Sequence, residues 1–203
     1  MILRPATLND ADLLLEWRND STTRANSFTS EIVSLEDHLN WFKKVLASED
    51  RCIYIAEDGN IPIGTIRVDI INSRQKELSW NVSPSHRKMG YGSKILEKFI
   101  TEYPSVYIAR IKSENIPSIK MVESNGFSIM TTEDNVYTFI KKPSDLEIID
   151  AIQRIRNSNN VNWMDLLRIA FKHAPDEARA VFKRITSSDN AIGDLSKLLA
   201  DNE

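Results

Sequence analysis

The chain is poor in the residues that would announce a metal site or a disulfide scaffold. It has one cysteine, Cys52, and three histidines in 203 residues. A lone cysteine excludes an internal disulfide and fits a reducing compartment, so a cytoplasmic protein is expected. The histidines and the cysteine fall at no ligand-like spacing, and no metal is expected. Apolar runs stay far short of the ~18 residues that cross a bilayer. The opening MILRP is broken at Arg4 and Pro5, unlike a signal peptide, so no membrane partner is expected. Neither sign of charge prevails: 26 basic residues face 29 acidic ones, for a net charge of −3, which argues against nucleic acid as a partner. Glycine numbers only six.

Hydrophobic residues make up 41% of the chain and charged residues 27%, which suits a folded core under an ordinary polar surface. Asn9 and Asp12 precede Leu13, Leu14 and Trp17, the start of a short amphipathic helix. Ser34 and Asp37 introduce a second, with Leu35, Leu39, Phe42, Val45 and Leu46 predicted on one face. Residues 19 to 33 between them read as a polar loop that packs little. Cys52 to Ala56 and Ile61 to Ile71 read as strands joined by the turn Glu57 to Asn60. Further strands are predicted at Glu77 to Val82, Val106 to Ile111 and Val136 to Lys141. Helices are predicted at Ser93 to Glu102 and at Pro117 to Asn125, the latter stopped by Gly126. Residues 1 to 142 thus form an α/β (α+β) domain.

Pro143 and Ser144 mark a change of character, because no strand-like run follows. Ser144 with Glu147, and Asn162 with Asp165, open two predicted helices; Pro175 opens a third, ending near Ile185, and Asn190 to Leu199 is a fourth. Residues 143 to 203 are therefore expected to be an all-α appendage. Its apolar positions, including Ile152, Ile155, Trp163, Leu167, Phe171 and Phe182, need cover, from a small bundle of their own, from the first domain or from a second copy in a homodimer. The sheet edge is the other candidate dimer surface.

The segment Val82 to Ser93 reads VSPSHRKMGYGS and sets Gly90 and Gly92 between a strand and a helix. Residues without bulky side chains let backbone N–H groups approach a phosphate, and the following helix presents its positive end. Arg87 or Lys88 adds formal charge. Together with Asn115 to Phe127, NIPSIKMVESNGF, this segment resembles the GNAT family of acyltransferases. The resemblance covers about the first 142 residues. It implies a mixed, mostly antiparallel sheet flanked by helices, with acetyl-coenzyme A as co-substrate and a primary amine as acceptor.

By that resemblance Arg87, Gly90 and Gly92 hold the coenzyme pyrophosphate, with Lys88, Tyr91 and Ser93 beside them. Trp80 and Val82 line the pantetheine arm, and Asn115 and Ser118 complete its site. A thioester carbonyl needs a hydrogen-bond donor as charge develops on its oxygen, and the N–H of Val82 is the candidate. Glu77, on the same strand, is the candidate base for the amine. The family's usual tyrosine is replaced by Val122, which leaves Tyr91, Ser118 and Tyr137 as candidate proton donors. His38 reads as a satisfied histidine, and His86 as a lining of the phosphate loop.

Residues 16 to 19, EWRN, and 36 to 42, EDHLNWF, are similar to the amino-sugar nucleotide and ribosomal-protein acetyltransferases of the family. Trp17, Trp41 and Phe42 either belong to the core or wall an acceptor pocket. Arg18 and Arg24 either lie on the surface or pair with a nucleotide diphosphate. The sequence therefore points to a nucleotide-linked amino sugar as the small-molecule acceptor. A protein amino terminus, or a non-catalytic acyl-coenzyme A sensor, are the alternatives.

Overall fold

In the computed structural model, which describes residues 1–72 and 74–200, alternation along the central strands divides the apolar residues between two layers. The strands are β1 (Ile2–Pro5), β2 (Arg51–Asp58), β3 (Ile61–Ile70), β4 (Gln75–Val82), β5 (Val106–Lys112), β6 (Ser128–Glu133) and β7 (Val136–Lys141). They form one sheet in the order β1-β2-β3-β4-β5-β7-β6, antiparallel except for β4 with β5. Ile66, Val68 and Leu78 face one side. There they meet Ile95, Leu96 and Phe99 of α4 (Tyr91–Glu102) and Val122 of α5 (Ile116–Ser124). Ile53 and Ile55 face the other side. Their cover is Leu14 of α1 (Ala11–Asn19) with Phe42 and Val45 of α3 (Leu35–Leu46). Burial of each such side chain stabilises the fold by about 1.5–3 kcal/mol.

Strands β1 and β6 were not anticipated. β1 is four residues long and ends in proline, and β6 is exposed along its whole length. Neither carries the buried alternation that marks a strand in sequence. Helix α1 also starts differently from the expectation at Asn9. A single 3₁₀ turn, Leu8–Asp10, precedes it, and the Asp10 carboxylate reaches back to the Thr7 N–H (2.7 Å) and hydroxyl (3.0 Å). Asp10 also takes both ends of the Arg4 guanidinium, at 2.7 and 2.9 Å. That geometry holds its carboxyl below the usual carboxylate range. Ser34 caps α3 as expected, accepting from the Asp37 N–H at 3.1 Å. Its buried face is His38, Phe42 and Val45, whereas Leu35 and Leu46 are exposed.

Residues 19 to 33 bury no residue, in keeping with a segment that packs little, but they are not simply a loop. They contain a short helix, α2 (Ser21–Asn26), capped by Asp20, which accepts from the Thr23 N–H at 3.0 Å. Asn19 exchanges two 2.9 Å hydrogen bonds with the backbone of Val33, closing the segment on itself.

The residues from Met1 to Ile148 form one compact unit, and those from Ile149 onward a second. The tail has two helices where four were expected, α6 (Asp145–His173) and α7 (Pro175–Ala200). Asn162 continues α6, since an asparagine that suits a cap is tolerated inside a long helix at small cost. Phe171 and Phe182 meet edge to face with centroids 6.4 Å apart. Residues 201–203 of the predicted appendage lie outside those described. No helix among the described residues is long and apolar enough to cross a membrane.

Candidate active site

Strands β4 and β5 pair for only three residues, the last being Glu77 with Ile108, and then diverge. On its other edge β4 stays paired with β3 as far as Val82 opposite Gly64. Ser83 donates to the Ile63 carbonyl at 2.9 Å. Hydrogen-bonded pairs alternate along an antiparallel ladder, so the N–H and C=O groups of Trp80 and Val82 point away from β3, into the gap. The gap opens into a cavity of about 1220 Å³. Every residue of the sequence-predicted site lines it: Glu77, Trp80, Val82, Arg87, Lys88, Gly90 to Ser93, Asn115 and Ser118.

At one end is the glycine-bearing turn. Gly90 caps α4 in the left-handed conformation, with φ of +78°, and Lys88 shares that region at +62°. A side chain at Gly90 would be strained by about 1–2 kcal/mol. A Cβ at Gly92 would stand 2.9 Å from the Met121 sulfur and 3.4 Å from Val82 Cγ2, so any side chain there has to displace Met121. The first N–H groups of α4 therefore open onto the cavity at a positive helix end.

Several site residues are held by partners that the sequence does not reveal. Arg87 donates from Nη2 to Asp20 at 2.6 Å and to the Thr23 hydroxyl at 2.9 Å, and from Nε to the Val82 carbonyl at 3.3 Å. Asn115 caps α5, its Oδ1 accepting from the Ser118 N–H at 3.3 Å. The Tyr91 hydroxyl donates to Asp58 at 2.9 Å, which raises its pKa, and its ring meets His86 edge-on at 5.7 Å. His86 itself is bonded to the Ser83 hydroxyl at 2.6 Å. Ser93 accepts from the Asn125 amide at 2.9 Å. Glu77 pairs with Arg110 at 2.9 Å, and Arg110 lies over the Phe28 ring.

The opposite end is walled by Trp17, Phe28, His38 and Trp41. Trp17 and Phe42 are core residues, 3% and 0% exposed, while Trp41 is partly open to the cavity. His38 departs from the expected satisfied histidine. Its ring bonds the Ala11 backbone, but the buried Nε2 has no partner, and burial lowers its pKa. Arg24 is turned onto the carbonyls of Asn19 (3.1 Å) and Ser30 (3.0 Å), so it does not reach the cavity. Val122 is fully buried in the main core and Tyr137 packs against that core, leaving Ser118 and Ser124 as the α5 hydroxyls that line the cavity, of which Ser124 donates to the Met121 carbonyl at 2.9 Å.

Comparison with known proteins agrees with this geometry. The acetyltransferase (GNAT) domain family matches residues 1–128. An uncharacterized N-acetyltransferase of Bacillus subtilis (strain 168), YfmK, is 29% identical over 104 residues, covering 49% of this chain and 70% of that protein. The structure of YncA from Salmonella typhimurium with its cofactor acetyl-coenzyme A superposes with a TM-score of 0.59 at 21% identity, over 71% of this chain and 95% of that one. The spermidine N-acetyltransferase of Vibrio cholerae, in complex with coenzyme A and spermine, gives 0.64 at 16% identity, over 69% and 94%. A splayed β4–β5 pair, a glycine turn at the head of α4 and a family match over most of the first unit together identify the chain as a member of the GNAT family, an N-acetyltransferase that uses acetyl-coenzyme A.

Proposed function

We propose that this enzyme acetylates the primary amine of a nucleotide-linked amino sugar. The observation that carries the reading is the continuous cavity, which runs from the glycine turn to an end walled by aromatic rings. At about 1220 Å³ it exceeds the ~300–1,000 Å³ of common single-ligand pockets, as a site for two substrates must. Trp41 and Phe28 offer flat faces of the kind that suit sugar and base rings.

In the proposed mechanism, Arg87, Lys88 and the N–H groups from Gly90 to Ser93 hold the coenzyme pyrophosphate. Trp80, Asn115 and Ser118 hold the pantetheine arm, which lays the thioester across the gap beside Val82. The Val82 N–H then donates to the thioester oxygen as it gains charge. Glu77, about 16 Å along β4 from Val82, takes the proton of the attacking amine through ordered water, the amine nitrogen bonds the acetyl carbon, and the carbon–sulfur bond breaks. Ser118 is the proposed hydrogen-bond donor to the departing thiolate, which takes its proton from solvent, because Tyr91 is committed to Asp58 and Tyr137 lies away from the cavity. A second base is favoured by one observation, the unpartnered Nε2 of His38.

The test is free-thiol release from acetyl-coenzyme A with a panel of nucleotide-linked amino sugars, polyamines, amino acids and amino-terminal peptides. Turnover concentrated on the nucleotide sugars supports the reading. Preference for peptides or polyamines overturns it.

A further inference from the structure

Among the residues lining the cavity, six are cations (Arg18, Arg67, Arg87, Lys88, Arg110 and Lys120) and one, Glu77, is an acid. Arg87 and Lys88 belong to the glycine-turn end. Arg110 is matched by Glu77, and Arg67 shares Asp69 with Arg51. Lys88 and Lys120 are exposed, whereas Arg18 is partly buried. No carboxylate lies within ion-pair distance of it among the described residues. One amine, Nη2, donates to the Thr29 carbonyl at 2.7 Å, while the other, Nη1, is buried with no hydrogen-bond partner.

A buried guanidinium nitrogen with an unused donor is destabilising, and fold stability alone gives no reason to keep one. Desolvation, and then the neighbouring Arg24, both lower the Arg18 pKa, which reflects a spot short of negative charge. Arg67 lies on the sheet face that carries Ile53 and Ser79, which also line the cavity, so its charge adds to the same field. We infer that Arg18, supported by Arg67, forms a subsite for an anionic group on the acceptor, so that the substrate is an amine bearing a phosphate, diphosphate or carboxylate. A polycationic acceptor would meet like charge there. The inference rests on reading this end of the cavity as the acceptor pocket, and it holds for more acceptors than nucleotide sugars alone.

The test first fills the coenzyme site with saturating coenzyme A, then titrates inorganic pyrophosphate by calorimetry into the full-length protein. Saturable binding is expected, weakened about tenfold or more in Arg18→Gln with coenzyme A affinity unchanged within about twofold, and partly retained in Arg18→Lys. Pyrophosphate that fails to bind the coenzyme-loaded protein, or that binds Arg18→Gln equally well, overturns the subsite. Paired acceptors then separate the anion sources by kcat/KM: glucosamine 1-phosphate against glucosamine, and alanine against alaninamide. The anionic member of at least one pair is expected to lead, with its advantage lost in Arg18→Gln; neutral members leading in both pairs overturns the inference. If simple anionic amines are acetylated and nucleotide sugars are not, the subsite stands and the nucleotide-sugar reading fails. If nucleotide sugars are acetylated equally well by Arg18→Gln, the reverse holds.

Discussion

Arg87 and Asp20, 67 residues apart in sequence, are joined by a 2.6 Å ion pair that ties the turn before α4 to the N-terminal cap of α2. The pair lowers the Asp20 pKa, first through the hydrogen bond from Arg87. Because Asp20 also accepts from the Thr23 N–H, one carboxylate positions both the glycine-bearing turn proposed to hold the coenzyme and the helix α2. Lysine cannot reproduce the fork that reaches Asp20, Thr23 and Val82 together.

Arg87→Lys is accordingly expected to raise the KM for acetyl-coenzyme A and for the acceptor together, each by about tenfold, the scale of a lost charged hydrogen bond. Asp20→Asn is expected to raise the acceptor KM more than the coenzyme KM. Initial-rate kinetics with each substrate varied in turn check both statements.

Gly90 and Gly92 should fail for different reasons. Gly90→Ala has open space around the new methyl but the wrong backbone region, so about 1–2 kcal/mol of stability is expected to be lost, read from a urea unfolding midpoint. Gly92→Val presses on Met121 and Val82, and its larger expected effect is on coenzyme A affinity, measured by calorimetry.

The two candidate bases are separable. Glu77→Gln is expected to lower kcat by about 10²-fold with the acetyl-coenzyme A KM within about twofold, and His38→Gln to lower kcat by less than about tenfold. The opposite ranking in steady-state assays transfers the role to His38.

Acid should unfold the protein in two windows. Burial lowers the His38 pKa, so the unfolded chain binds its proton more readily, and stability contributed above about pH 6.5 is lost as pH falls. Asp10, held down mainly by its hydrogen bond from Arg4, keeps its contribution above about pH 4 and loses it below, as pH falls through the folded value. His38→Gln should flatten the first window in urea midpoints measured from about pH 7.5 to 5, and Asp10→Asn the second.

Much of the site was legible because it is built from local chemistry. Glycines at the head of a helix, an asparagine ahead of another, and a strand ended by proline can all be read within a dozen residues. What stayed hidden depends on partners far along the chain. Nothing around residue 20 says that Asp20 will hold Arg87, and the helical pattern near His38 does not show that one ring nitrogen will be left unbonded. Strands β1 and β6 escaped for a related reason: both sit at sheet edges, where burial imposes no alternation. In the tail asparagine and proline both look like helix starts, and only Pro175 opens one, two residues after α6 ends at His173.

The divergence of β4 from β5 places backbone amides, rather than side chains, opposite the proposed thioester. Every amino acid except proline brings an N–H to such a position. The polarising group is then indifferent to side-chain identity at Val82, so drift along the strand can reshape the walls while leaving the acetyl-handling machinery in place. On the proposed reading, acceptor preference becomes the part of the enzyme that is free to change, carried by the residues of α1, α2 and α3 that line the cavity.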